Sequence, residues 1–186
     1  MGNIKTRNAK AGYEYLLAYK VTVPIYDYTV EFCRRWIDYK SRTKDQMEQA
    51  ARSGMVNIAE GNKQKSLASY IKLVGVAIGS QEELLRDYHA YARQHQLTIW
   101  DKGKAREIGE LREVWEILKK TPTLPDSPNF PHLPDSPEKA VNLMITLVNQ
   151  ANYLLQKLAD SLEFKHEHEG GFNEKLLQKR LAYRYK

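Results

Sequence analysis

Glu163 and His166 form the one Glu-x-x-His pair in this 186-residue chain, the spacing that suits a carboxylate-bridged metal centre. Such a centre in a helical bundle draws a Glu from each of two helices and a Glu-x-x-His from each of the other two, all facing inward. Here the pair stands alone beside His168 and Glu169 at the end of a helical run. A solvated polar terminus explains it better than a ligand set, and no metal or cofactor is expected. Cys33, the single cysteine, lies among Phe32, Trp36 and Ile37 without a histidine on its helical face, and reads as a buried thiol rather than a nucleophile. Gly61-Asn62-Lys63-Gln64-Lys65-Ser66 lacks the second glycine and the preceding strand of a phosphate-binding loop. No Gly-x-Ser-x-Gly turn is present. No catalytic residues are assigned, and the chain is not expected to be an enzyme.

Charge is the remaining source of chemistry. The net charge is +6 and the pI about 9.2, a balance compatible with a polyanionic partner. Distribution says more than the total. Candidate nucleic-acid contacts are Arg34, Arg35, Lys40, Arg42 and Lys44 around the end of the first long helix, Lys63 and Lys65 at a helix-hairpin break, and Lys179, Arg180 and Arg184 in the tail. Tyr183 and Tyr185, interleaved with Arg184, are suited to stacking on bases. The stretch from Glu107 to Glu116 is acidic by contrast.

These residues need elements to hold them. Hydrophobic residues are 42% and charged residues 28% of the chain, which suits one globular domain and neither disorder nor a membrane class. The longest nearly apolar run, Leu73 to Ser80, is far short of a span, and Lys5, Arg7 and Lys10 have no apolar leader between them. A cytoplasmic location and no membrane partner are the expectation.

Apolar positions recur at the helical period from Tyr13 to Tyr39, and Pro24 sets the proper start of this helix near Val23, with Val21, Thr22 and Val23 as an extended approach. Thr43 with Gln46 forms a capping-box pattern that starts a second helix at Lys44. Its inner face, Met47, Ala50, Ala51, Gly54, Met55 and Ile58, is dominated by small side chains. Gly61-Asn62 supplies a left-handed stop, and Ser66 caps a third helix from Leu67 to His95. In that helix Gly75 and Gly79 suit close approach of another backbone. Thr98 with Asp101 opens an extra helix over about 99–120. Residues 121–137 hold six of the seven prolines, in a crossover loop where Leu-Pro-Asp-Ser-Pro occurs twice, at 124–128 and 133–137. Ser136-Pro137 starts the last core helix. The fold class is therefore all-α, an up-and-down antiparallel four-helix bundle over residues 1–169 with the extra helix and proline-rich loop inserted before the last core helix. Residues 170–186 form a basic amphipathic tail, with Leu176, Leu177, Leu181 and Tyr185 as its apolar positions.

Three phrases carry a resemblance: Gln49-Ala50-Ala51-Arg52-Ser53, Asn57-Ile58-Ala59-Glu60-Gly61, and Ala77-Ile78-Gly79-Ser80 followed by Glu82-Glu83-Leu84. In order and spacing the chain resembles the four-helix-bundle proteins of intervening sequences in bacterial 23S rRNA genes, well over about Tyr15 to Leu97 and more loosely from Pro137. Its extra helix, proline loop and tail resemble the longer subgroup with a four-helix-bundle suffix. The resemblance implies a homopentameric ring without enzymatic activity. It also implies kinship with the accessory protein of diversity-generating retroelements, a basic barrel that binds nucleic acid and a reverse transcriptase. Asn57, Glu60, Gly61 and Ser80 match the motif, with a structural role. Asn57 and Glu60 are placed to tie the hairpin to a neighbouring helix, and Arg52 to pair with Glu60 or Glu83. The competing reading is a pure assembly scaffold whose charge is incidental.

Overall fold

The computed structural model describes residues 10–169 and 172–184. A 3-10 turn, Gly12–Tyr15, leads into α1 (Leu17–Lys20), α2 (Thr22–Trp36), α3 (Arg42–Asn62), α4 (Leu67–Gln94), α5 (Lys102–Arg106), α6 (Gly109–Lys120), α7 (Pro137–Glu169) and α8 (Phe172–Arg184). The chain is all-helical, with no strand among the described residues. No helix among them is long and apolar enough to cross a membrane.

The helix starts follow local chemistry, in places differently from expectation. Ahead of α2 the chain is helical rather than extended: Val21 has φ −69° and ψ −25° after the turn of α1. Pro24 sits in the first turn of α2 as expected, where its missing N–H leaves no intrahelical bond unmade. The cap of α3 is Ser41, whose hydroxyl accepts from the Thr43 amide at 3.2 Å, so the helix begins two residues before Lys44 and the Thr43–Gln46 box does not form the start. Ser66 caps α4 as expected, accepting from the Ser69 amide at 3.1 Å. Ser136 caps α7 with Pro137 as its first residue.

The extra helix is two pieces, because Asp101 is itself the cap of α5, accepting from the amides of Gly103 at 2.8 Å and Lys104 at 3.1 Å. Those backbone bonds hold its carboxyl below the usual range. Ile108, with ψ 115°, then breaks the helix before α6. At the end of α4, the Leu97 amide returns to Ala92 O at 2.9 Å across Gln96, which takes φ 55° where a glycine would be at ease.

α2 packs on α3, α3 on α4, α4 on α7 and α7 back on α2. Ile25, Phe32, Met47, Leu84, Tyr88, Leu143, Met144 and Leu147 are fully buried between them. Each such side chain contributes roughly 1.5–3 kcal/mol relative to exposure. The Phe32 ring meets Trp36, Tyr88 and Tyr91 edge-on at 4.9–5.0 Å.

The α3–α4 hairpin owes its closeness to two glycines. A methyl group on Gly54 would lie 2.0 Å from the amide nitrogen of buried Gln81, and one on Gly61 would lie 2.5 Å from the Tyr70 ring. Gly61 is thus inside the helix as a contact point; α3 ends at Lys63 with φ −83°, and no left-handed stop forms. Gly75 and Gly79 differ again from expectation, since nothing lies within 4 Å of a methyl group built on either and both are exposed.

The proline loop straps α2. Leu124 and Leu133, the leucines of the two Leu-Pro-Asp-Ser-Pro copies, are both buried. Only the second copy starts a helix, because in the first Pro131 follows Pro128 by three residues and withholds the amide a helix would need there. Tyr28 Oη donates to Pro131 O at 2.6 Å. Lys20, 5% exposed, donates to Leu118 O at 2.6 Å and Thr121 O at 2.7 Å, closing the C-terminus of α6 with a cation.

Candidate functional site

The cations singled out from the sequence do not converge. Arg34 is exposed, with Glu31 at 4.0 Å. Arg35 is committed to the proline loop: it donates to Leu133 O and Asp135 Oδ1, each at 3.2 Å, and pairs with Glu31 on its own helix. That makes it a strap anchor. Lys44 pairs with Glu48 at 3.6 Å, and Lys40 lies 5.5 Å from the exposed Tyr39 ring. Arg42, Lys63 and Lys65 are exposed on α3 and its turn. Lys179 and Arg180 are exposed on α8, where Arg180 falls between the Leu176–Tyr183 and Leu177–Leu181 faces, so the apolar side of the tail is split by charge. The side chains of Arg184 and Tyr185 lie outside the described residues.

The motif residues are structural to different degrees. The Asn57 amide donates to Ser53 O at 2.8 Å and Ser53 Oγ at 2.9 Å, and Ser53 Oγ meets Ser80 Oγ at 2.8 Å. Asn57 therefore ties α3 to α4 through Ser53. Arg52, Glu60 and Glu83 are exposed, and among the described residues their side chains make no ion pair or hydrogen bond, so the expected Arg52 pairing does not form. His168 stacks on Phe164 with ring centroids 3.9 Å apart and points its Nδ1 at Phe164 O, 2.8 Å away. No three metal-ligating side chains converge among the described residues.

A concave feature lies elsewhere, between α5, α6 and α7, as a half-open cleft of about 940 Å³. That is the upper end of the size range of ligand pockets, about 300–1,000 Å³. α6 contributes Arg112, Trp115 and Lys119, three and four residues apart and hence one stripe. α7 presents Thr146, Asn149, Gln150 and Tyr153 at the same spacing, and α5 adds Lys102 and Arg106. His89 of α4 also lines it. No Asp or Glu does, and none of the four Lys and Arg side chains makes an ion pair among the described residues.

Local bonds hold the walls. Trp115 Nε1 donates to Gln150 Oε1 at 2.6 Å, joining α6 to α7 across the cleft. Trp100 Nε1 donates to Glu138 Oε1 at 2.8 Å, which with the Thr98 amide holds the Glu138 carboxyl below its usual range. Asn142 clamps the same segment, accepting from the Trp100 amide at 2.7 Å and donating to Thr98 O at 2.9 Å. Lys104 covers one face of Trp100 at 4.2 Å. Tyr153 is 64% exposed, so its ring is open to a ligand.

An acid-free cleft with several cations and aromatic rings is suited to anionic aromatic molecules. The cations supply electrostatic attraction that a low-dielectric concavity strengthens, and the rings supply stacking. In the linear sequence the cleft is masked, because Glu107 to Glu116 is acidic in sum. The helical period separates part of that charge: Glu110 and Glu113 fall on a different side of α6 from Arg112, Trp115 and Lys119, and Glu116, next to that stripe, pairs with Lys120 at 3.1 Å.

Comparison with protein-family models, with curated proteins and with solved structures finds no match to this chain. What is defined at this point is a class: an all-helical protein with a cationic, aromatic cleft.

Proposed function

We propose that this chain is a non-catalytic accessory protein that binds nucleic acid, RNA or an RNA–DNA hybrid, with the cleft between α5, α6 and α7 as its principal contact. The observation that carries the reading is the set of four unpaired cations, Lys102, Arg106, Arg112 and Lys119, around aromatic walls free of carboxylates. Phosphate contacts of this kind release counterions, so affinity should fall steeply as salt rises. The exposed cations at Arg42, Lys63, Lys65, Lys179 and Arg180 would widen the positive field rather than form the site.

The proposal includes the arrangement behind the site. The closed cycle of contacts α2–α3–α4–α7 supports an up-and-down antiparallel four-helix bundle. Assembly into a ring, with five copies, and recruitment of a reverse transcriptase in the cytoplasm rest on the family resemblance. The exposed Gly75–Val76–Gly79 face of α4 gives assembly a surface on which another helix can approach closely, and it is what favours the second reading, a pure protein scaffold.

Two measurements separate these. Retention of a short RNA at low salt, lost progressively from about 50 to about 200 mM salt, is expected. No retention at low salt, with oligomerisation intact, would leave the scaffold reading. Light scattering that returns the monomer mass of 21.6 kDa would remove the ring from either reading.

A further inference from the structure

We infer that the cleft takes an unpaired nucleotide of a single strand, reading its base by stacking as well as its phosphate by charge; this rests on the nucleic-acid reading just given. The walls alternate the two chemistries. On α6, Trp115 lies between Arg112 and Lys119, so an aromatic group is flanked by a cation three residues before it and another four residues after it. On α7, Tyr153 is 64% exposed with Lys157 at 5.8 Å from its ring. A base lying along Tyr153 would have its phosphates within the field of Lys119 and Arg112.

The polar groups between the rings suit a base edge. Gln150 Oε1 is taken by Trp115 Nε1, which fixes the side chain and leaves its amide N–H groups as donors. Asn149 donates its own amide to Ile145 O at 2.8 Å, which leaves its carbonyl oxygen as an acceptor. A donor and an acceptor on adjacent residues of one cleft match what an unpaired base offers and what a base inside a duplex has already satisfied. A duplex presents its phosphates on a convex surface with its rings stacked inward, so it would use the cations and leave Trp115 and Tyr153 idle.

The test is tryptophan fluorescence and affinity with three probes on the full chain: a short single-stranded RNA, the RNA–DNA hybrid duplex of the same sequence, and the mononucleotide. Two of the three tryptophans, Trp100 and Trp115, line the cleft, so occupancy should quench the emission. The single strand should quench and bind on the order of tenfold more tightly than the hybrid. Tyr153→Ala should weaken it by on the order of tenfold, the scale of one base–aromatic stack, while Tyr153→Phe retains binding. Because Tyr153 is largely exposed, neither change threatens the fold. Equal binding of strand and hybrid, or wild-type affinity in Tyr153→Ala together with loss in Arg112→Glu/Lys119→Glu, would overturn the unpaired-base inference and leave the electrostatic reading standing. Loss of neither would remove both. A mononucleotide that binds as tightly as the strand would overturn the assignment to a strand.

Discussion

The α3–α4 hairpin and the α5–α6–α7 cleft are made from opposite kinds of sequence. The hairpin has clean periodicity, distinctive phrases and small residues, and it encloses almost no space: Gly54 and Gly61 bring Gln81 and Tyr70 so near that a methyl group would overlap them. The cleft is made from a helix broken at Ile108, a segment clamped by Glu138 and Asn142, and one face of α7, and it keeps a large open concavity. Recognisable sequence marks where helices must touch. Open concavity has arisen where they are held apart.

That contrast can be broken from either side. The largest effect is expected at Lys20, whose removal leaves the buried carbonyl of Leu118 and the half-buried one of Thr121 without that donor at the end of the helix that forms one cleft wall. Lys20→Met should cost about 2–4 kcal/mol in denaturant unfolding, with α6 the element whose amide exchange accelerates most. A change under about 0.5 kcal/mol would contradict the capping role.

Next, Gly61→Ala should cost about 1–3 kcal/mol by overpacking against Tyr70. Gly75→Ala and Gly79→Ala, open to solvent in the same hairpin, should instead stabilise the monomer's helix by about 0.5–1 kcal/mol each. Thermal unfolding of the three variants checks both signs. Destabilisation at Gly75 or Gly79 together with loss of oligomer would show that α4 has a partner there.

The last effect is a dependence on alkaline pH. Burial pushes the Cys33 thiol up to about 12 from an ordinary 9.0, and burial raises Tyr28 and Tyr88 in the same sense. A group with a raised folded pKa contributes stability that is whole below its unfolded pKa and lost above it. Stability should therefore fall from about pH 9 upward, by about 1.4 kcal/mol per pH unit for each group that ionises only when unfolded. Lys20, lowered by burial, acts in the opposite direction as the pH approaches 10.5 and blunts the slope. Cys33→Ala should show a shallower decline between about pH 9 and 10 than wild type.

Much of the scaffold was legible because its causes are local. Ser66 and Ser136-Pro137 begin helices from their own side chains, and six prolines within 121–137 forbid helix whatever surrounds them. Ser41 was missed in favour of Thr43 because both carry a capping hydroxyl, and only the extended backbone at Ser41, φ −75° and ψ 128°, decides between them. Arg35 read as a surface cation since its true partners, Leu133 and Asp135, are some hundred residues away in sequence. The cleft was hidden for two reasons. Charge summed along Glu107 to Glu116 averages Arg112 with Glu110 and Glu113, which the helix turns to another side, and the Trp115–Gln150 bond that closes its wall spans α6 and α7.

The central claim is that nucleic acid enters the cleft and not the hairpin tip. Affinity for one single-stranded RNA, titrated from about 50 to about 200 mM salt, should be compared across wild type, Arg112→Glu/Lys119→Glu and Lys63→Glu/Lys65→Glu. The cleft variant is predicted to lose at least about tenfold in affinity and about 1.4 from the magnitude of the salt slope, two phosphate contacts at about 0.7 each, with the hairpin variant within about twofold of wild type. Loss confined to the hairpin variant, or equal loss in both, would contradict it.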